Sequence, residues 1–119
     1  MLRVVLESPF AGDRMKNVRY ARACLRDSLS RGEAPIASHL LYTQVLDDDK
    51  AEERTLGIEA GLAWGEKADM TAVYTDLGIS LGMKYGILEA ERCNRPIVYR
   101  RLTGWRDEDY SEQEGKLPS

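Results

Sequence analysis

Val4-Val5-Leu6-Glu7-Ser8-Pro9-Phe10-Ala11-Gly12-Asp13 carries an apolar, β-branched run straight into a loop of small residues, and a helical pattern follows. Ala72-Val73-Tyr74 leads in the same way into Asp76-Leu77-Gly78-Ile79-Ser80-Leu81-Gly82, ahead of another helical pattern. A repeated strand–loop–helix order is the grammar of a parallel α/β sheet, whose ligands bind beyond the carboxyl ends of the strands. Small residues there let backbone N–H groups approach an anionic or sugar-bearing ligand, and each helix adds the positive end of its dipole. The two loops predict a pocket.

Working outward, Arg3 to Leu6 reads as a strand buried on both faces, because its apolar run is nearly continuous. Asp13 is placed to cap a helix whose apolar residues Val18, Ala21, Cys24, Leu25 and Leu29 recur at helical spacing, with Gly32 as its stop. Ala34 to Ser38 predicts a short second strand, followed by a polar-tipped segment with His39 and Tyr42. A second helix spans about 50–67, and Asp49 with Glu52 has the spacing of a capping box. Strands over 69–75 and 97–99 flank a third helix that starts at Ser80 or a neighbour and ends near Asn94, before the breaker Arg95-Pro96. The alternation predicts a three-layer, doubly wound parallel sheet of four to five strands, Rossmann-like in class, with the first and third strands adjacent at the switch point. Residues 1–103 then form one α/β domain and 104–119 a charged tail, tethered by Trp105 and Tyr110.

Composition limits the partners. The 119 residues carry 17 basic and 20 acidic side chains, a net charge of -3, so no polyanion-binding excess points to nucleic acid. No apolar stretch approaches the roughly 20 residues that span a bilayer, and residues 1–10 lack the features of a signal peptide. These readings predict a cytoplasmic protein without a membrane partner. Cys24 and Cys93 form no CxxC pair and fit small buried residues of a reducing compartment better than a disulfide. With two separated cysteines and one histidine, no metal site and no cofactor is expected; Asp47-Asp48-Asp49 is explained by capping and solvation.

Gly57, Gly61 and Gly65 recur every fourth residue on the second helix, and Gly82, Gly86 and Ala90 on the third. Each helix-interior glycine costs about 1 kcal/mol relative to alanine, so close backbone approach must compensate. The neighbour is the sheet, another helix, or the same helix of a second subunit, and the last alternative predicts a homodimer or higher homo-oligomer.

Among residues able to do chemistry, Glu7 and Asp76 stand just past strand ends beside the small-residue loops. A carboxylate there accepts a sugar hydroxyl or orients a base, or else caps a helix and stabilises its loop. His39 follows the second strand at the ligand-binding end of the sheet, as a ligand contact or as a hydrogen-bonded loop histidine.

These residues resemble the nucleoside 2-deoxyribosyltransferases and the related deoxynucleoside-monophosphate N-glycosidases, over roughly residues 3–100. Ser8-Pro9-Phe10-Ala11-Gly12-Asp13 looks like their first phosphate- or sugar-binding loop. Glu59-Ala60-Gly61-Leu62-Ala63-Trp64 with Ala68-Asp69 looks like their second helix running into the third strand, and Gly82-Met83-Lys84-Tyr85-Gly86 like their nucleophile segment. The likeness is closer still to a small, often phage-encoded branch of that superfamily. It implies a nucleoside deoxyribosyltransferase-like fold and a nucleoside or nucleotide as ligand. The family's nucleophilic glutamate would fall at Lys84, its helix aspartate at Gly61 and its first-strand tyrosine at Val5. A lysine ammonium does not replace a carboxylate that attacks C1′.

The expectation is therefore a nucleotide-binding domain without standard transferase activity. Its ligand-binding residues are Ser8, Pro9, Phe10, Gly12, His39, Tyr42, Asp76, Gly78, Ser80, Gly82 and Lys84, with Phe10 or Tyr42 stacking on a base. One alternative is an N-glycosidase or deoxyribosyltransferase with relocated catalytic carboxylates at Glu7, Glu59 or Asp76. The other is a protein-interaction module.

Overall fold

The computed structural model describes residues 1–107. Four strands, β1 (Arg3–Glu7), β2 (Ala34–Ile36), β3 (Met70–Tyr74) and β4 (Ile97–Arg100), form one sheet in the order β2-β1-β3-β4. All three pairings are parallel, with Val5 opposite Ile36 on one side and opposite Thr71 on the other. Outward winding from the central pair β1 and β3 makes the sheet doubly wound and sets their two C-terminal loops side by side. Pro35 sits in the edge strand β2, where a missing N–H costs least.

Side chains alternate across the sheet. Val4 and Leu6 of β1 with Ala72 and Tyr74 of β3 are fully buried against Tyr20 and Cys24 of helix α1 (Arg14–Ser30). The opposite face carries Val5, Glu7, Thr71 and Val73. It meets the end of α3 (Ala51–Gly65), where Gly65 lies against Val5, and α4 (Leu81–Arg92), where Gly86 lies against Glu7. A short helix, α2 (Ser38–Leu41), and a 3-10 turn (Tyr42–Gln44) bridge β2 to α3.

Local signals set most of these boundaries. Asp13 accepts the Lys16 N–H, and Ser80 accepts the Met83 N–H while its own N–H donates to the Met83 sulfur. Three expectations are corrected. The Asp49–Glu52 capping box does not form: Lys50 is the N-cap of α3, Asp48 and Asp49 pair with Arg14 instead, and Glu53 accepts the Asp47 N–H. His39 lies within helix α2, not in a loop. Cys93 is exposed, because it caps α4 beyond the turn that faces the sheet, whereas Cys24 is buried.

The α3 glycines find their neighbours within the same chain. A Cβ on Gly57 would meet Leu46 and Tyr42, one on Gly61 would lie 2.6 Å from Ser38 Oγ, and one on Gly65 would meet Arg95 and Val5. Gly61 thus seats α2 on α3, Gly57 takes the turn and loop that follow, and Gly65 meets the sheet, so the stripe needs no second subunit. Arg95 completes that end, donating to the Gly65 carbonyl at 2.7 Å and to Thr71 Oγ1 at 2.9 Å. Beyond β4, Trp105 packs edge-on to Tyr20 with ring centroids 5.0 Å apart, and Arg19 pairs with Asp107 at 2.6 Å. Tyr110 and the rest of the proposed tail lie outside the described residues.

Candidate functional site

Glu7 ends β1 and Ser8 begins the loop that follows, so the two side chains leave the strand on opposite faces. Ser8 is 5% exposed, and its hydroxyl lies 2.7 Å from His39 Nε2. Burial lowers the His39 pKa to about 4, so the ring is neutral at pH 7. A neutral ring meets the serine in either of two proton arrangements, accepting the hydroxyl proton or donating its own. Ser38 beside it carries the close packing on Gly61, which fixes where α2 holds the histidine.

The first loop is held from below. The Asn17 amide donates to the carbonyls of Phe10 and Ala11, each at 3.0 Å, and Gly12 turns the chain at φ +99°. That left-handed geometry suits only a residue without Cβ strain. Pro9 is buried, and the Arg14 guanidinium lies 5.3 Å from the Phe10 ring centroid. In the second loop Gly78 turns at φ +85°. Ser80 is partly exposed at the head of α4, and Gly82 and Lys84 are exposed.

Glu7 is partly exposed, and burial pushes its pKa up to about 8 against a smaller lowering by Arg95. Its carboxylate lies against Gly86: a Cβ built on that glycine would overlap both carboxylate oxygens. Lys84 stands two residues earlier on the same helix, roughly half a turn away, and faces outward. The α4 residue that meets the end of β1 is therefore Gly86 and not Lys84.

The other carboxylates are placed differently. Asp76 accepts from the Tyr20 hydroxyl and from the Leu102 N–H, so the fold occupies it. Glu59 is exposed on α3. Tyr42 lies in the 3-10 turn, its Cβ near Gly57. Two neighbouring grooves, of about 330 and 470 Å³, run along α1 against Thr43; Phe10 lines one of them, but Glu7, Ser8 and His39 line neither. Sequence reasoning missed Asn17, Tyr20 and the pairing of Gly86 with Glu7. The signal for the last was the small residue at 86, which announced a close approach without naming its neighbour.

The fold is similar to that of a 2-deoxyribosyltransferase from Bacillus psychrosaccharolyticus, with a TM-score of 0.61 and 22% identity over 87% of this chain and 75% of that one. It is also similar to the Clostridium botulinum CMP N-glycosidase, with a TM-score of 0.50 and 10% identity over 97% and 99% of the two chains. At these identities the likeness establishes the α/β fold alone. No curated protein matches the sequence. A family model does match, over residues 2–100: the chain belongs to the domain of unknown function DUF7768.

Proposed function

We propose that this domain binds a nucleoside or nucleotide in the crevice beyond β1 and β3, without performing standard deoxyribosyl transfer. The observation that carries the reading is the convergence of Glu7, the Ser8–His39 pair and the two glycine-turned loops at the carboxyl edge of adjacent central strands. The 2-deoxyribosyltransferase and the CMP N-glycosidase whose folds are similar are named for chemistry on nucleosides or nucleotides, which supports the ligand class. In this reading Ser8, Pro9, Phe10 and Gly12 cradle one side of the ligand, and Gly78, Ser80 and Gly82 the other. His39 and Tyr42 close the edge next to β2.

Covalent transfer requires an ionised carboxylate ready to attack C1′. Lys84 faces outward, Asp76 is engaged by Tyr20 and Leu102, and Glu7 holds its proton at neutral pH. Lys84 serves instead as a long-range positive charge toward a phosphate near Ser80, whose hydroxyl and neighbouring amides sit at a helix N-terminus.

Calorimetry with a deoxynucleoside and its 5′-monophosphate tests the reading on wild type, Ser80→Ala and Lys84→Ala. The monophosphate binds more tightly, Ser80→Ala weakens it about tenfold or more, and Lys84→Ala reduces its salt dependence. Equal affinity for both ligands, unchanged by either substitution, removes the phosphate from this loop. No binding of either ligand refutes the reading.

A further inference from the structure

The two grooves along α1 share one chemistry. Val18 and Arg22 line both, Arg19 adds a second cation to the first, and Leu25 and Leu40 make the second more apolar. An apolar channel edged by guanidinium groups fits an occupant that carries an aromatic or aliphatic side chain among acids.

The path of the chain supplies such an occupant. After β4, Trp105 packs on Tyr20, and Asp107 accepts two hydrogen bonds from Arg19, at 2.6 and 2.9 Å. Asp107 is the last described residue, so the chain leaves the described structure on a side chain that lines the first groove. The sequence continues Glu108-Asp109-Tyr110-Ser111-Glu112-Gln113-Glu114, four acids around one aromatic residue, with Lys116 as the only base up to Ser119.

Reach and charge agree with this. Tyr110 stands three residues beyond Asp107, at most about 10 Å of extended chain. Val18 adjoins Arg19 in sequence, and Leu25 lies about 9 Å farther along the helix axis. At the start of α1, Arg14 is already held by Asp48 and Asp49, whereas Arg22 and Arg26 toward its end are exposed. An acidic segment that starts at Arg19 is therefore drawn toward the second groove.

We propose that residues 108–119 act as a strap that docks on the α1 grooves of their own chain, with Tyr110 against the apolar lining and Glu108, Asp109 and Glu112 toward Arg22 and Arg26. The Arg19–Asp107 pair holds the start of the strap at the rim, which makes docking an intramolecular step at high effective concentration. The ligand reading above is not needed for it, because Glu7, Ser8 and His39 line neither groove.

Methyl NMR on the full chain tests the proposal. The Tyr110 ring gives through-space contacts to methyl groups of Val18, Leu25 or Leu40, and Tyr110→Ala removes them, which fixes their assignment. In a mixture of methyl-labelled and unlabelled chains, no such contacts pass between the two. Chymotrypsin cleavage after Tyr110 is the second readout. Arg22→Glu speeds it about threefold or more at an unchanged melting temperature, and Asp109→Arg added to that variant slows it again. Absence of the contacts in the full chain overturns the proposal, and so does cleavage that Arg22→Glu leaves unchanged. Contacts found only between chains also overturn it and assign the grooves to a second copy.

Discussion

The Tyr20 hydroxyl is bonded to Asp76 twice: it donates to the carboxylate and accepts the backbone N–H at 2.9 Å. One phenol thereby fixes the loop after β3 to the centre of α1, and the same carboxylate receives the Leu102 N–H from beyond β4. Burial and the Asp76 carboxylate raise the Tyr20 pKa, so the hydroxyl keeps its proton. Tyr20→Phe strands both partners and destabilises the protein by about 1–3 kcal/mol in urea titration. A loss below about 0.5 kcal/mol would show that the loop holds without it.

Gly61→Leu forces a side chain into Ser38 and pushes α2, with His39, away from α3. Overpacking of this kind costs about 1–3 kcal/mol. The His39 ring resonances in an NMR spectrum shift at the same time. A folded variant with an unmoved His39 spectrum would mean that α2 is positioned by other contacts.

Arg100 and Glu33 pair at 2.6 Å with both side chains nearly buried, and Arg100 also donates to the Tyr74 hydroxyl. The guanidinium and the Ser28 hydroxyl hold the Glu33 pKa below its ordinary value. Arg100→Ala leaves the carboxylate buried without its cation, at a cost of about 3–5 kcal/mol. Equilibrium denaturation at pH 7 measures it, and a change under about 1 kcal/mol would count against the network.

Glu7 makes stability fall as pH rises. Its folded pKa, near 8, exceeds the ordinary 4.5 of a free glutamate. The unfolded chain therefore ionises first, and this contribution is present in full below about pH 4.5 and lost as pH approaches 8. The loss runs at up to about 1.4 kcal/mol per pH unit. The stability gained by Glu7→Gln over wild type thus grows between pH 5 and 8 and then levels off. His39 acts in the opposite sense at lower pH: its pKa falls from 6.5 to about 4, so stability is lost as pH drops through that window. Parallel stability curves for wild type and Glu7→Gln from pH 5 to 8.5 would contradict the Glu7 burial.

Leu56, Ile58 and Trp64 on α3, and Leu81, Tyr85 and Leu88 on α4, are exposed on the layer that covers Glu7. Apolar helix faces of this kind favour association, and we expect a homodimer or larger assembly through them. Light scattering at micromolar concentration then gives at least twice the chain mass, and Leu88→Glu reduces it. A monomer at every concentration would exclude the assembly.

By itself the sequence determined the order of strands and helices, the caps at Asp13 and Ser80, the two glycine-turned loops and the adjacency of β1 and β3. Those features depend on side-chain periodicity and turn chemistry over about ten residues, which any stretch of chain carries with it. It marked Glu7 as a carboxylate at a strand end and residue 86 as a place of close approach, but it could not bring the two together. Lys84 and Gly86 stand two residues apart on one helix, where each residue rotates a side chain by about 100°, so the exposed side of Lys84 and the close approach at Gly86 fall on roughly opposite faces. Only the tertiary structure decided that Ser8 meets His39 across 31 residues, that Glu33 meets Arg100 across 67, and that the α3 glycines find their neighbours within the same chain. Such meetings follow from strand order and helix placement, which are settled by the packing of the whole domain and leave no periodic trace in the residues that make them.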